Sequence, residues 1–253
     1  RSKAHKEGLI RLLYAVEMRK GCALLSGDIG SGKTTLSKVF MQKISGERFD
    51  VGVILNPCSD PKEFLQDVLY KFGTWNVPKR KVEILRVLND KLIENTKENK
   101  ETLLIIDEAQ LLTEDTLEEI RLLLNFQLSN RFLLTVFLLG QPELMGKIKN
   151  IRQLEQRIGI RYILKPFNFK ETVKYILFRQ KKAGGTKNVF SREAIEKIYK
   201  YSNGVPRVIN NICDLALLVG YGEKRLISSD IIKDIFCLLY TSDAADELDG
   251  VNL

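Results

Sequence analysis

Gly27-Asp28-Ile29-Gly30-Ser31-Gly32-Lys33-Thr34 is the stretch on which the fold of this 253-residue chain turns. It is a full G-x-x-x-x-G-K-[ST] phosphate loop, and its flanks are the ones such a loop needs. The apolar run Cys22-Ala23-Leu24-Leu25 before it reads as a buried strand; after it, Leu36, Val39, Phe40 and Ile44 recur at helical spacing. Glycines let successive backbone N–H groups turn inward as an anion nest at a helix N-terminus. Lys33 is then placed to reach the β/γ-phosphates and the Thr34 hydroxyl to ligate Mg²⁺. The expected nucleotide cradle is Gly27, Asp28, Ile29, Gly30, Ser31, Gly32, Lys33, Thr34 and Thr35, with ATP and Mg²⁺ as its contents.

A second motif lies about seventy residues on. Leu103-Leu104-Ile105-Ile106 is a continuous apolar run, the mark of a strand buried on both faces of a parallel sheet, and it ends in Asp107-Glu108. Two adjacent acids at such a strand's tip call for a cation or a chemical task, unless the strand simply ends in a solvated acidic turn. In a phosphate-loop protein the first, Asp107, holds the Mg²⁺ shell, while Glu108 polarises the attacking water.

Composition narrows the alternatives. A hydrophobic content of 44% with 28% charged residues is that of a globular protein, and no segment approaches the roughly 20 apolar residues that cross a bilayer. Because residue 1 is Arg, a native start and any targeting or membrane segment can lie outside this stretch. The four cysteines form no C-x-x-C pair and His5 is the only histidine, which excludes a zinc site and histidine base chemistry. Ser26 and Ser31 accordingly lack the partner a serine hydrolase needs. Free thiols suit a reducing, cytoplasmic setting.

The net charge of +8 is local. Lys147 to Lys182 holds eleven basic residues against Glu155 and Glu171, so the rest of the chain is close to neutral. Such a segment serves phosphates, an acidic neighbour or nucleic acid, unless it is only a solvated face.

Apolar runs at 22–26, 51–55, 103–106, 133–139 and 160–164 alternate with helical patterns, which predicts an α/β fold: a mostly parallel five-stranded sheet with helices on both faces. After Pro166 the strand signal stops, and helical patterns run over 170–182, 191–201, 205–219 and 228–235. The expected domains are an α/β nucleotide-binding domain over 1–166 and a small helical lid over 167–236. Residues 237–247 back-translate to a DNA word like a sequencing-adapter end, so 237–253 are expected to be a non-native tail that adds nothing to the fold, the ordinary alternative being a natural acidic C-terminal tail.

The phosphate loop, the strand ending in Asp107-Glu108-Ala109-Gln110 and the helical lid together resemble a AAA+ ATPase. Leu117-Glu118-Glu119-Ile120-Arg121-Leu122-Leu123-Leu124-Asn125-Phe126, Leu139-Gly140-Gln141-Pro142-Glu143-Leu144, Gln153-Leu154-Glu155-Gln156-Arg157-Ile158 and Asn203-Gly204-Val205-Pro206-Arg207 are similar to the general secretion pathway protein A (ExeA-type) ATPases. The TniB/TnsC-type transposition ATPases are relatives of that group. The resemblance implies roles for Gln141 as a γ-phosphate sensor, Arg157 as an arginine finger offered to a neighbouring subunit, and Arg207 as a lid arginine over the nucleotide. A planar guanidinium suits the charge that gathers on a transferred phosphoryl group. The ordinary alternatives are Gln141 capping the helix near Pro142, Arg157 as one more member of the basic run with Arg161 the rival finger, and Arg207 as a surface residue.

The same resemblance implies ATP hydrolysis in a head-to-tail homo-oligomer, a ring or a filament, that drives assembly of a secretion or pilus machine at the cytoplasmic face of the inner membrane. The transposition branch would instead bind DNA through the 147–182 segment. Glu108, Glu114, Asp115, Glu118 and Glu119 form an acidic counterpart to that basic segment, so the two surfaces are expected to meet between subunits, unless Glu114 and Asp115 only complement the N-terminus of a helix capped by Thr113.

Overall fold

The computed structural model describes residues 2–44, 46–128, 131–223 and 226–246. The chain begins with helix α1 (Lys3–Glu17), then strand β1 (Cys22–Ser26), α2 (Lys33–Ile44), β2 (Phe49–Ile54), α3 (Pro61–Lys71), α4 (Lys81–Lys97) and β3 (Glu101–Ile106). A 3₁₀ turn over Ala109–Leu111 leads into α5 (Glu114–Leu123), the short β4 (Gln127–Leu128) and β5 (Arg131–Phe132), and then β6 (Leu134–Gly140), α6 (Glu143–Asn150), α7 (Arg152–Arg157) and β7 (Ile158–Ile163). Four helices follow: α8 (Phe169–Lys182), α9 (Arg192–Ser202), α10 (Pro206–Glu223) and α11 (Ser229–Asp246).

The five long strands form one sheet in the order β2-β3-β6-β1-β7, every neighbouring pair parallel. Their continuous apolar runs follow from burial on both faces. In β3, Leu104 and Ile106 belong to one core with Phe64, Leu88 and Ile120 of α3, α4 and α5. Leu103 and Ile105 point to the other, with Leu12 of α1 and Phe40 of α2. Phe40 meets Phe137 of β6 with ring centroids 5.0 Å apart, tilted by 45°. α1 supplies Leu9, Leu12, Ala15 and Val16 at helical spacing to this second core. The antiparallel pair β4–β5 was not expected from the sequence, because two-residue strands carry no period to read.

The chain separates into two compact units, Lys3–Lys165 with the sheet and Pro166 onward with α8 to α11. The second unit has its own core of Ile176, Ile195, Ile198, Ile209, Ile212 and Ile232, among others. α8 opens on a capping box, with Asn168 accepting from Glu171 N and the Glu171 carboxylate accepting from Asn168 N. α9 ends with Asn203 and Gly204 both at positive φ, 47° and 74°, where a left-handed exit is cheap for these residue types.

One expectation needs correction. The helical pattern legible over 228–235 is only the first part of α11, which continues to Asp246 and so enters the stretch expected to be a non-native tail. Leu238, Leu239, Ala244 and Ala245 are good helix formers, and no Gly or Pro interrupts them before Gly250. Residues 247–253 of that expected tail lie outside the described residues.

Candidate functional site

The phosphate loop lies between β1 and α2, at the C-terminal edge of the sheet. Its start is pinned to two neighbouring strands: Gly27 N donates to Gly140 O of β6, and Leu164 N, just past β7, donates to Ser26 O. The glycines are required by space as well as by conformation. A Cβ on Gly27 would lie 2.9 Å from both Leu164 O and Ser31 Oγ, and Gly30 and Gly32 have φ of 77° and 100°.

Lys33 begins α2 and is buried, its Nζ donating to the carbonyls of Gly27 (2.7 Å) and Asp28 (3.0 Å). The ammonium thus folds back over the loop. Ser31 Oγ is buried with no hydrogen-bond partner, an uncompensated polar atom inside the cradle. Asp28, Ile29 and Thr35 are exposed around its rim. His5 of α1, which the sequence used only to exclude chemistry, donates from Nε2 to Ser31 O (3.1 Å).

The two motifs meet. Thr34 Oγ1 donates to Asp107 Oδ2 at 2.7 Å, joining residues 73 apart in sequence, and Asp107 is only 4% exposed. A hydroxyl and a carboxylate in contact offer two hard oxygen donors. Among the described residues no group of three His, Cys, Asp or Glu could hold a metal by itself. The donor set therefore fits Mg²⁺, which completes its shell with water and phosphate oxygens.

Glu108 follows at φ 52°, ψ 35°, left-handed for a non-glycine residue, a conformation that costs of order 1–3 kcal/mol unless its surroundings hold it. Asp107 Oδ1 accepts from Glu108 N (3.0 Å), and Gln110 Nε2 donates to Glu108 Oε2 (2.7 Å). Gln141, just past β6, donates its backbone N–H to Gln110 Oε1 (3.1 Å). Pro142, just before α6, already has helical dihedrals (φ −55°, ψ −29°), and Gln141 O accepts from Leu144 N (3.1 Å) at the start of that helix. The phosphate loop, Asp107, Glu108 and Gln141 thus lie on the neighbouring tips of β1, β3 and β6.

The candidate arginines lie on α7, β7 and α10. Arg157 ends α7, its Nη2 donating to Asn125 Oδ1 (2.6 Å), while Arg161 on the edge strand β7 pairs with Glu155 (3.1 Å). Arg207 is exposed in the first turn of α10, in the helical unit. The basic segment also proves heterogeneous. Lys147 Nζ donates to the carbonyls of Gln110 (2.6 Å) and Leu112 (2.8 Å), so it is a clamp inside the domain. Lys170, Lys174, Arg179, Lys181 and Lys182 are exposed along α8, and none forms an ion pair among the described residues. The acidic counterpart shrinks likewise: Glu119 pairs with Lys81 at 2.6 Å, Glu118 with Arg121 at 2.7 Å, and Glu114 accepts from Asn150.

Comparison with known proteins agrees with this geometry. The chain is 35% identical over 238 residues to general secretion pathway protein A of Aeromonas hydrophila, across 91% of this chain and 43% of that protein. It is 25% identical over 225 residues to the ATP-dependent target DNA activator B of Escherichia phage Mu, across 87% of this chain and 66% of that one. The chain therefore spans less than half of the first relative and about two thirds of the second. In fold it is similar to the ADP form of the ORC2 protein of Aeropyrum pernix, with a TM-score of 0.64 at 18% identity over 93% of this chain and 67% of that one. The AAA domain family matches residues 16–148, more than half the chain and the span from α1 to α6 that carries both motifs. With the phosphate loop and the acid-tipped strand in contact on a five-stranded parallel sheet, this chain belongs to the AAA domain family.

Proposed function

We propose that the chain is an ATPase that binds Mg-ATP on the Gly27–Thr35 loop and hydrolyses it in an oligomer. The Thr34–Asp107 contact of 2.7 Å beside Glu108 is the observation that carries this reading. Thr34 and Asp107 would hold Mg²⁺, which when bound would neutralise charge on the phosphate oxygens. Lys33, now satisfied by loop carbonyls, is poised to exchange those acceptors for phosphate oxygens at the end of a helix whose N–H groups favour an anion. Glu108 takes the proton of the attacking water, and Gln141, linked through Gln110 to the same turn, senses the γ-phosphate. Arg157 completes the charge around the phosphate from the next subunit.

The physiological output is assembly of a secretion or pilus machine, at the cytoplasmic face of the inner membrane. The general secretion pathway protein A similarity over 91% of the chain supports that branch. The second reading is DNA binding coupled to the same nucleotide cycle; the exposed cations of α8, none of them in an ion pair among the described residues, and the similarity to the phage DNA activator favour it. A steep fall of DNA affinity with rising salt would identify that branch.

Mixing two inactive variants, Lys33→Ala and Arg157→Ala, tests assembly and chemistry together. A mixed interface can join an intact nucleotide site to an intact finger, so part of the ATP turnover should return. Co-assembled variants that stay inactive would remove Arg157 from the neighbour's site.

A further inference from the structure

The reading of Glu108 as the base leaves open what holds it, and two residues without a role in the cradle do so. The turn after β3 is tied to the end of β6 and to α6 by three hydrogen bonds. Gln110 spans the gap with its amide, the nitrogen donating to Glu108 Oε2 at 2.7 Å and the oxygen accepting from Gln141 N at 3.1 Å. Its orientation is dictated from both ends, because a carboxylate only accepts and a backbone N–H only donates. Gly140 makes room for it: a Cβ there would lie 3.1 Å from Gln110 Oε1 and 2.7 Å from Leu144 Cδ2. Lys147, from the second turn of α6, fixes the backbone of the same turn by donating to the carbonyls of Gln110 and Leu112 at 2.6 and 2.8 Å.

Resting on that reading of Glu108, we infer that Gln110 and Lys147 are positioning residues that lock the base to the strand end carrying Gln141. A left-handed Glu108 is stable only when its surroundings over-determine it, and these contacts supply the constraint. Gln110 occupies Oε2 and leaves Oε1 to take the water's proton. Because one amide touches both Glu108 and the backbone of Gln141, a displacement at either is felt at the other. Neither residue is placed to touch phosphate, so their loss should spare nucleotide affinity and cost turnover, where a misplacement of about 1 Å can matter by about 10²-fold.

The test uses the full chain and compares Gln110→Ala, Lys147→Met, Lys147→Arg and Glu108→Gln with the parent, measuring ATP turnover at saturation and the Kd of a fluorescent ATP analogue. Gln110→Ala and Lys147→Met should lower kcat at least about tenfold while Kd stays within about twofold. Lys147→Arg, which can still donate to both carbonyls, should recover most of the turnover. Combining Gln110→Ala with Lys147→Met should cost little beyond the more damaging single change, because both release the same turn. Unchanged or raised kcat in Gln110→Ala, or a Kd that weakens in step with kcat, would overturn the inference. Should Lys147→Met lose its thermal transition, Gln110→Ala decides alone. Turnover at the parental rate in Glu108→Gln would show that the base assignment itself has failed; an inactive Glu108→Gln beside a fully active Gln110→Ala would sink only the positioning role.

Discussion

Cys22 opens β1 at the heart of the sheet and Cys213 lies on the buried face of α10; burial pushes both thiols up from 9.0 to about 12. Cys58 is raised as well, first by its hydrogen bond to Glu63, while Cys237 is exposed. A thiol reagent near neutral pH should therefore label Cys237 first and reach Cys22 and Cys213 only through unfolding. The same shifts set a pH dependence. The unfolded chain ionises these thiols near pH 9 while the folded chain keeps its protons until about 12. Their contribution is thus complete below pH 9 and drains away between 9 and 12, by up to about 1.4 kcal/mol per pH unit for each thiol. Urea unfolding at pH 8 and pH 10.5 checks this: a Cys22→Val/Cys213→Ala variant should lose less stability over that range than the parent, and equal losses would contradict it. At this scale the juxtaposition of the phosphate loop and the strand-tip acids could be read from the motifs, since Thr34 of one is in contact with Asp107 of the other and Glu108 follows it. Gln110, Lys147 and His5 could not, because each acts through a contact with a residue far from it in sequence or with backbone, and neither leaves a spacing to recognise.

The turn between α9 and α10 shows what element-scale reading sees and misses. Asn203-Gly204 followed by Pro206 announces a helix end and a helix start. What it hides is the tertiary reason for glycine: Phe167 N donates to Gly204 O at 2.9 Å, and a Cβ on Gly204 would fall 1.9 Å from Phe167 O. Gly204→Ala meets both a backbone clash and a φ of 74°, and should cost the helical unit about 3 kcal/mol or more. Chemical denaturation should show that loss; a midpoint like the parent's would mean the corner yields at little cost. β3 was the converse case, fully legible, because a strand covered on both faces leaves an unbroken apolar run. The basic run from Lys147 to Lys182 was legible as charge and misleading as a surface, since Lys147, Arg157 and Arg161 are engaged by groups of their own domain, while Lys149, Arg152, Lys165 and the α8 cations form no ion pair among the described residues.

Over the whole chain, five parallel strands with helices on both faces follow from alternating apolar runs, and the order β2-β3-β6-β1-β7 places the phosphate loop and the Asp107 tip on strands separated only by β6. That order brings loop and tip together although 73 residues separate Thr34 from Asp107. The end of α11 was the least legible part, because a helix of ordinary formers continues wherever nothing stops it. The central claim is that this arrangement binds Mg-ATP through Lys33 and cleaves it through Glu108. Nucleotide binding and phosphate release should therefore be measured side by side in the parent, Lys33→Ala and Glu108→Gln. Lys33→Ala should lose binding. Glu108→Gln should bind Mg-ATP as the parent does and release phosphate at least about 10²-fold more slowly, since an amide keeps the shape of the carboxylate but cannot take a proton. Parental phosphate release from Glu108→Gln, or undiminished binding by Lys33→Ala, would contradict the account.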